Sequence, residues 1–401
     1  MHARTGLSTT YLGEEFMSLV HTCVNKAKAE KMLAYLYDED RWPSGSAGGL
    51  ITKEPQYRQR KLLLTTDKSL DTVDRETAVR TGKPYFLCAY DISLDENGFL
   101  KAYSCVADRA GEGTADRRYV YVVTAEESPW FNNQTYVDTL NPAAMRKFID
   151  ITYNSYYRAE GDNFGKTIPS IFTDEPQFML KETLKRPADR LDVSLPWTMD
   201  ITESFEDTYG YDIVKRLPEL FWDLPDGRLS QVRYHYHDHI AERFAAAFAD
   251  QCGDWCKKHG LVLTGHMMEE ATLESQTHSL GDAMRSYRSF QLPGIDMLCD
   301  YVEFTTAKQA QSASRQYGHE GVMSELYGVT GWDFDFRGHK FQGDWQAALG
   351  ITLRVHHLSW VSMNGEAKRD YPASINYQSA WYKEYPYVEN YFERINTALT
   401  R

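Results

Sequence analysis

Short apolar runs that end in acids, histidine or aromatic residues recur along the chain, each preceded by a segment of helical periodicity. This rhythm restricts the fold more than any other feature. "FMSLVHTCVNKAKAEK" leads to "MLAYLYDED", and "NPAAMRKFIDITYNSYYR", with Asn141 as cap and Pro142 at its first position, leads to "IPSIFTDE". A helix from about 229 to 259 leads to "LVLTGH", one from about 277 to 290 to "GIDMLC", and one from about 304 to 317 to "GVMSELYG". The region 341 to 354 leads to "HHLSWVSM", and a helix from about 379 to 399 closes the chain. Strands that alternate with helices predict a parallel sheet, and polar strand ends on apolar strand bodies predict a (β/α)8 barrel with its site at the carboxyl rim.

Two stretches interrupt the rhythm. Residues 51–130 hold alternating runs ("KLLLTT", "KPYFLCAYDIS", "GFLKAYSCVA", "RRYVYVVTAE") with Asp95-Glu96-Asn97-Gly98 as a hairpin turn, so an antiparallel β subdomain is expected within a barrel spanning 1–401. Residues 177–228, rich in Pro, Trp and charge, read as a lid-like insertion. Six barrel strands are legible from "MLAYLYDED" onward, and "MHARTGL" would close a second strand. A first strand and its helix are then expected before residue 1.

The formal net charge of −13 and the scattering of 44 basic residues argue against a nucleic-acid partner and favour a neutral, sugar-like ligand. No apolar stretch approaches the ~20 residues of a membrane span, and no leader pattern opens the chain, so a soluble, cytoplasmic protein of bacterial type is expected. The six cysteines form no CxxC pair and read as reduced, mostly buried thiols. His235 and His239 in "HYHDH" stand at metal-ligand spacing, but no HExxH glutamate lies between them and the segment opens an amphipathic helix. The sequon at Asn133 has no use in such a compartment. Composition says nothing of oligomeric state.

"SIFTDEPQF" is the most informative stretch. Pro176 ends the strand, because proline lacks an N–H and restricts its predecessor, and so Asp174 and Glu175 are presented at the strand's carboxyl end. Counting strands puts Glu175 after the fourth and Glu325 after the seventh, which face each other across a barrel mouth. Glycosidic cleavage needs one carboxylic acid to protonate the leaving oxygen and one carboxylate on the other face of the sugar. Glu175, beside Asp174 and against Pro176 and Phe178, is placed to have its pKa raised by like charge and desolvation, as a general acid requires. Glu325 is then nucleophile or base. The bland alternative makes both glutamates rim salt-bridge partners. Asp38, Asp40, Arg41 and Trp42 end the third strand, where they suit sugar hydroxyls and ring stacking or an internally paired loop. His2 and Arg4 close the second strand and His266 the fifth, while Tyr327 and Trp332 follow Glu325 as candidate subsite walls.

The layout resembles the retaining glycoside hydrolases on (β/α)8 barrels, in which an acid/base Glu follows strand four and a nucleophilic Glu follows strand seven. The stretches "MHARTGL", "YLYDEDRWPSGSAGG", "IFTDEP", "GIDML" and "MSELYGVTGW" also resemble uncharacterised bacterial glycoside hydrolase-like proteins distantly similar to α-L-rhamnosidases. The resemblance implies hydrolysis of an oligosaccharide or plant-derived glycoside by Glu175 as acid/base and Glu325 as nucleophile, with no metal. Asp174 departs from the pattern, because Asn usually stands before the acid/base and can donate to a sugar hydroxyl, which an ionised Asp cannot. Two alternatives follow: an inverting α-L-rhamnosidase-like hydrolase with calcium held by Asp174 and the strand-three acids, and a sugar-binding barrel without catalysis.

Overall fold

The computed structural model describes residues 1–4, 6–107, 109, 116–360, 362–364 and 375–399. Two sheets organise the chain, with strands numbered in chain order. The first is parallel and runs β1 (Leu36–Tyr37), β6 (Ser170–Asp174), β8 (Val262–His266), β9 (Leu292–Met297), β10 (Met323–Leu326) and β11 (Leu353–His356), curling as half a barrel. The second is antiparallel and runs β4 (Leu100–Val106), β3 (Tyr85–Leu94), β5 (Arg117–Thr124), β2 (Arg60–Thr65) and β7 (Val193–Trp197). The molecule is thus an α/β protein.

Successive side chains of a strand face opposite ways, and this divides the parallel sheet into two surfaces. Ile171, Leu263, Ile295, Met297 and Leu326 face the surrounding helices and belong to the main core. Tyr37, Phe172 and Met323, with Leu292, Leu353 and Val355 around them, fill the concave side as a separate apolar floor. Burying each such large side chain contributes roughly 1.5–3 kcal/mol. The helix Phe304–Tyr317 buries Ala307, Ala310 and Ala313 completely, so that small residues at helical spacing form its inner face, and Gly318 ends it at φ 74°. Between β6 and β8 the backbones come so close that a Cβ on Gly265, at φ 129°, would stand 1.8 Å from the Thr173 carbonyl oxygen. Only glycine is accommodated there, next to His266.

The two interruptions of the strand–helix rhythm meet in one sheet. β2, from the first, pairs with β7, from the second, with Leu62 opposite Leu195. Asp95 shapes the expected hairpin, accepting from the N–H groups of Asn97 and Phe99 at 2.9 Å, while Gly98 takes φ 84°.

Three boundaries differ from the sequence reading. The last parallel strand is Leu353–His356 rather than the run beginning at His356, because Arg354 and His356 turn outward to Glu389 of the helix Pro386–Leu399 at 2.9 and 3.0 Å. The helix expected over 277 to 290 is two, Leu273–Ser279 and Ala283–Ser286, divided by Gly281 at φ 88° and restarted by Asp282, whose side chain accepts from the Arg285 N–H. The closing helix begins at Pro386, as suits proline in a first turn. Thr5 of the opening stretch and Val361 of "HHLSWVSM" lie outside the described residues. Cys88, Cys252 and Cys256 are buried, whereas Cys23 and Cys105 are exposed. Among the described residues no helix is long and apolar enough to cross a membrane.

Candidate active site

Above the apolar floor the concave surface turns ionisable within one pleat. Two residues beyond Phe172, Met323 and Val355 stand Asp174, Glu325 and His357, and His266 and Asp296 come from β8 and β9. Register brings them together: Asp174 lies opposite His266, and Glu325 opposite Asp296. Simple alternation would send Glu175 outward with Ile171 and Thr173. Instead its backbone takes φ 47°, a left-handed conformation that costs a non-glycine residue on the order of 1–2 kcal/mol. Its N–H still donates to the His266 carbonyl at 3.1 Å, so the ladder runs one residue past β6 before the chain turns and the side chain joins the cavity. Strain of this kind is concentrated at functional positions.

The resulting cavity, of about 140 Å³, is lined by Asp174, Glu175, His266, Asp296, Glu325 and His357, with Arg4, Trp42 and Leu298 closing its sides. The His266 ring, 1% exposed, is its electrostatic centre. Nε2 lies 3.0 Å from Asp174 Oδ1 and 3.8 Å from Asp296 Oδ2, and Nδ1 lies 3.7 Å from Glu325 Oε2. Burial disfavours the imidazolium, but the charges of Asp296, Asp174 and Glu325 outweigh it and hold the His266 pKa well above its usual value. Burial likewise opposes ionisation of Asp174, yet His266, then His2, and the Tyr37 hydroxyl donating at 2.5 Å hold its carboxyl at about 2. Asp174 and His266 therefore form a fixed ion pair.

The other acids are crowded together. Burial, then the Asp174 and Asp296 charges, push Glu175 well above the carboxylate range. Burial raises Asp296 to about 6 against the pull of His266, and burial with the Asp174 charge raises Glu325 to about 8. His357 is held neutral, down to about 3, by burial and then by Arg4, whose Nη1 donates to its Nε2 at 3.3 Å. Carboxyls that keep protons at neutral pH beside a permanent carboxylate are the arrangement acid–base chemistry uses. Ligand atoms of Asp174, His266 and Glu325 lie within 4.8 Å of one another, as do those of Glu175, His266 and Asp296.

The remaining expected positions divide sharply. Arg4 stacks over Trp42 at 5.0 Å, and both line the cavity. His2 stands behind it, with Nε2 3.9 Å from Asp174 Oδ2 and its ring 3.9 Å from that of Tyr37. Asp38, Asp40 and Arg41 do not line it, because their polar groups are engaged internally. Asp38 accepts from Ser44 Oγ at 2.6 Å and from the Tyr153 hydroxyl at 2.9 Å, while the same Ser44 Oγ accepts from the Asp174 N–H at 2.9 Å. Asp38 thus braces the site from beneath. Asp40 takes Arg41 at 2.9 Å and the Asn132 amide at 3.0 Å, which turns Arg41 away. Glu39 accepts from the N–H groups of Asp40, Gly45, Ser46, Ala47 and Gly48 and ties the loop after β1 into a ring. Tyr327 is buried against His339, Phe334 and His356, and Trp332 lies on the surface, edge-on to Trp360 at 5.6 Å. His235 is hydrogen-bonded to the Tyr211 hydroxyl at 3.0 Å and His239 to Ser204 at 2.9 Å.

Sequence reasoning missed Asp296, His357 and Tyr37. Asp296 left one signal, an acid interrupting an apolar strand at a concave-facing position; His357 and Tyr37 left none beyond lying at strand ends.

No protein-family model matches the chain, and no curated protein matches its sequence. In structure it is similar to the rhamnosidase from Novosphingobium sp. PP1Y, with a TM-score of 0.68 and 13% sequence identity over 100% of this chain and 56% of that one. The chain spans little more than half the length of that enzyme, and at this identity the likeness is one of fold.

Proposed function

We propose that the protein is a glycoside hydrolase that cleaves O-glycosidic bonds in a glycan or plant-derived glycoside, with Glu175 as proton donor. One observation carries this reading: Glu175, kept protonated by burial and by the neighbouring acids, and Glu325 line the same small cavity. We read the six parallel strands as the larger part of a (β/α)8 barrel whose carboxyl rim forms the site. Glu175 gives its proton to the leaving oxygen as the bond to the anomeric carbon breaks. Glu325, as carboxylate, either attacks that carbon or takes a proton from the attacking water. Glu325 must first lose the proton that burial and the Asp174 and Asp296 charges keep on it up to about pH 8; the charges of His266 and Arg4 favour that loss. A carboxyl separation of roughly 5–5.5 Å in the complex gives retention, and roughly 6.5–9.5 Å gives inversion. L-Rhamnosides are the first substrates to try, since the structural neighbour is a rhamnosidase.

A panel of nitrophenyl glycosides, assayed with the parent, Glu175→Gln and Glu325→Gln, tests the assignment. Turnover by the parent and its loss in Glu325→Gln are expected, whereas Glu175→Gln should lose least on the best leaving groups, because a nitrophenolate departs with little help from a proton. Full activity in Glu325→Gln removes that residue from the mechanism, and a folded parent inert on every sugar favours a sugar-binding protein without catalysis. The product anomer, read by NMR, separates retention from inversion.

A second reading, an inverting α-L-rhamnosidase-like enzyme with a metal in the site, is favoured by the Asp174, His266 and Glu325 grouping. Its donor set does not fit calcium, which takes oxygen ligands, and Asp38 and Asp40 are already engaged. Unchanged activity after chelation is therefore expected; loss that Zn²⁺ or Mn²⁺ restores would support the metal.

A further inference from the structure

We infer that the cleft has a second compartment for the leaving group, whose acidic lining selects neutral or ammonium-bearing partners over anionic ones. The inference rests on the glycosidase reading and extends it to substrate class. A cavity of about 540 Å³ opens beside the site, walled by Asp300, by residues 329–331 and 333–335 and by Gly338. Its walls grow from the same strand ends as the catalytic groups: Asp300 lies just past β9 and Val329 just past β10.

Gly328 stands between the two sets of lining residues, next in the chain to Val329 of the outer cavity. The Cys299 N–H donates to the Gly328 carbonyl at 2.6 Å, joining the two loops. A Cβ on Gly328 would stand 2.4 Å from His357 Nδ1 and 2.8 Å from Leu298 Cδ2, both of them groups of the inner cavity's wall. Volume separates the roles. The inner cavity falls below the roughly 300–1,000 Å³ of ordinary small-molecule pockets and suits one ring, whereas the outer one lies within that range.

The chemistry of the outer wall is one-sided, with no Lys, Arg or His among its lining residues. Asp300 accepts from the Gln342 amide at 3.0 Å, and Asp335 accepts from the Arg337 N–H at 2.9 Å and pairs with its guanidinium at 2.7 Å. Asp333 makes no such contact among the described residues and faces the cavity with its charge uncompensated. Carboxylates accept hydrogen bonds from hydroxyl or ammonium groups and repel a carboxylate, while Val329 and Phe334 offer apolar contact to a ring face.

Three substrates that share the sugar accepted by the inner cavity test this: a nitrophenyl glycoside, a disaccharide with a neutral second sugar, and the same disaccharide with a uronic acid there. The parent is expected to prefer the neutral over the uronic disaccharide by about tenfold in kcat/KM at low salt. The preference should shrink between 0.1 and 1 M salt, as the screening length falls from about 10 to about 3 Å. Asp333→Asn should raise kcat/KM for the uronic substrate, which damage to the fold cannot do, and Asp333→Lys should reverse the preference. Equal rates on the two disaccharides, or a preference unmoved by either variant, would overturn the compartment while nitrophenyl turnover left the glycosidase reading intact. A parent inert on all three overturns both.

Discussion

Glu175 occupies a backbone conformation that glutamate avoids, and the same turn that strains it brings its carboxyl among other acids. A donor works only while it holds its proton. The donor needs its proton and Glu325 must have lost its own, so kcat/KM is expected to rise as pH approaches about 8 and to fall as pH climbs through the raised value of Glu175; a pH–rate profile that collapses just above pH 4.5 would mean that an unperturbed carboxyl is the donor. Tyr37 is the second residue to probe. Removing its hydroxyl in Tyr37→Phe takes from the buried Asp174 carboxylate a 2.5 Å hydrogen bond, and hydrogen bonds to charged groups contribute about 1.5–3 kcal/mol. Urea unfolding should show a loss of that size, and carboxyl NMR should show the Asp174 pKa moving up from about 2.

At the scale of elements, the approach of β6 to β8 depends on Gly265. Gly265→Ala forces a Cβ into the Thr173 carbonyl, so a loss of at least ~3 kcal/mol, or failure to fold, is expected from denaturant titration. A change below ~1 kcal/mol would mean that the strands can move apart. Most of the parallel sheet was legible in the sequence, because each strand is an apolar run bounded by turn residues and polar ends, and Glu175 and Glu325 were found by counting those runs. β7 was not legible as a partner of β2, since a pairing across more than 120 residues leaves no local pattern. Asp38, Asp40 and Arg41 looked like ligand-binding groups because sequence shows charge but not its partner, and Ser44, Tyr153 and Asn132 complete the account. Asp296 escaped notice because only the register with Glu325 aims it at the site.

The whole molecule keeps protons that an unfolded chain would lose. Burial raises Asp38, Asp138 and Glu270 to about 7 and Glu325 to about 8, so each contributes stability below its unfolded pKa that is lost as pH rises through the folded one. Burial also lowers His237 and His357 to about 3 and His239 and His339 to about 4, which works the opposite way up to about pH 6.5. Glu39, raised to about 8, Asp296, raised to about 6, and Glu175 add to the acids and His2 to the histidines, so the two sets offset each other only in part between about pH 4 and 6.5. Above that Lys181, lowered to about 7 by burial, and Cys105, lowered to about 7 by its hydrogen bond with Cys88, act against the acids. Thermal unfolding should therefore give a Tm that falls gently from pH 5 to 6.5 and further toward pH 8; a Tm rising over that last interval would show these acids ionised in the folded chain. The same buried protons define the chemistry of the cleft, and the leaving-group dependence of Glu175→Gln reads the crucial one. On a glycoside with a poor leaving group, such as an alkyl glycoside, the variant should lose about 10²–10⁴-fold in kcat/KM, whereas on a dinitrophenyl glycoside, whose leaving group needs no proton, it should keep most of the parent's rate. An equal loss on both substrates, or no loss on the alkyl glycoside, would contradict Glu175 as the proton donor.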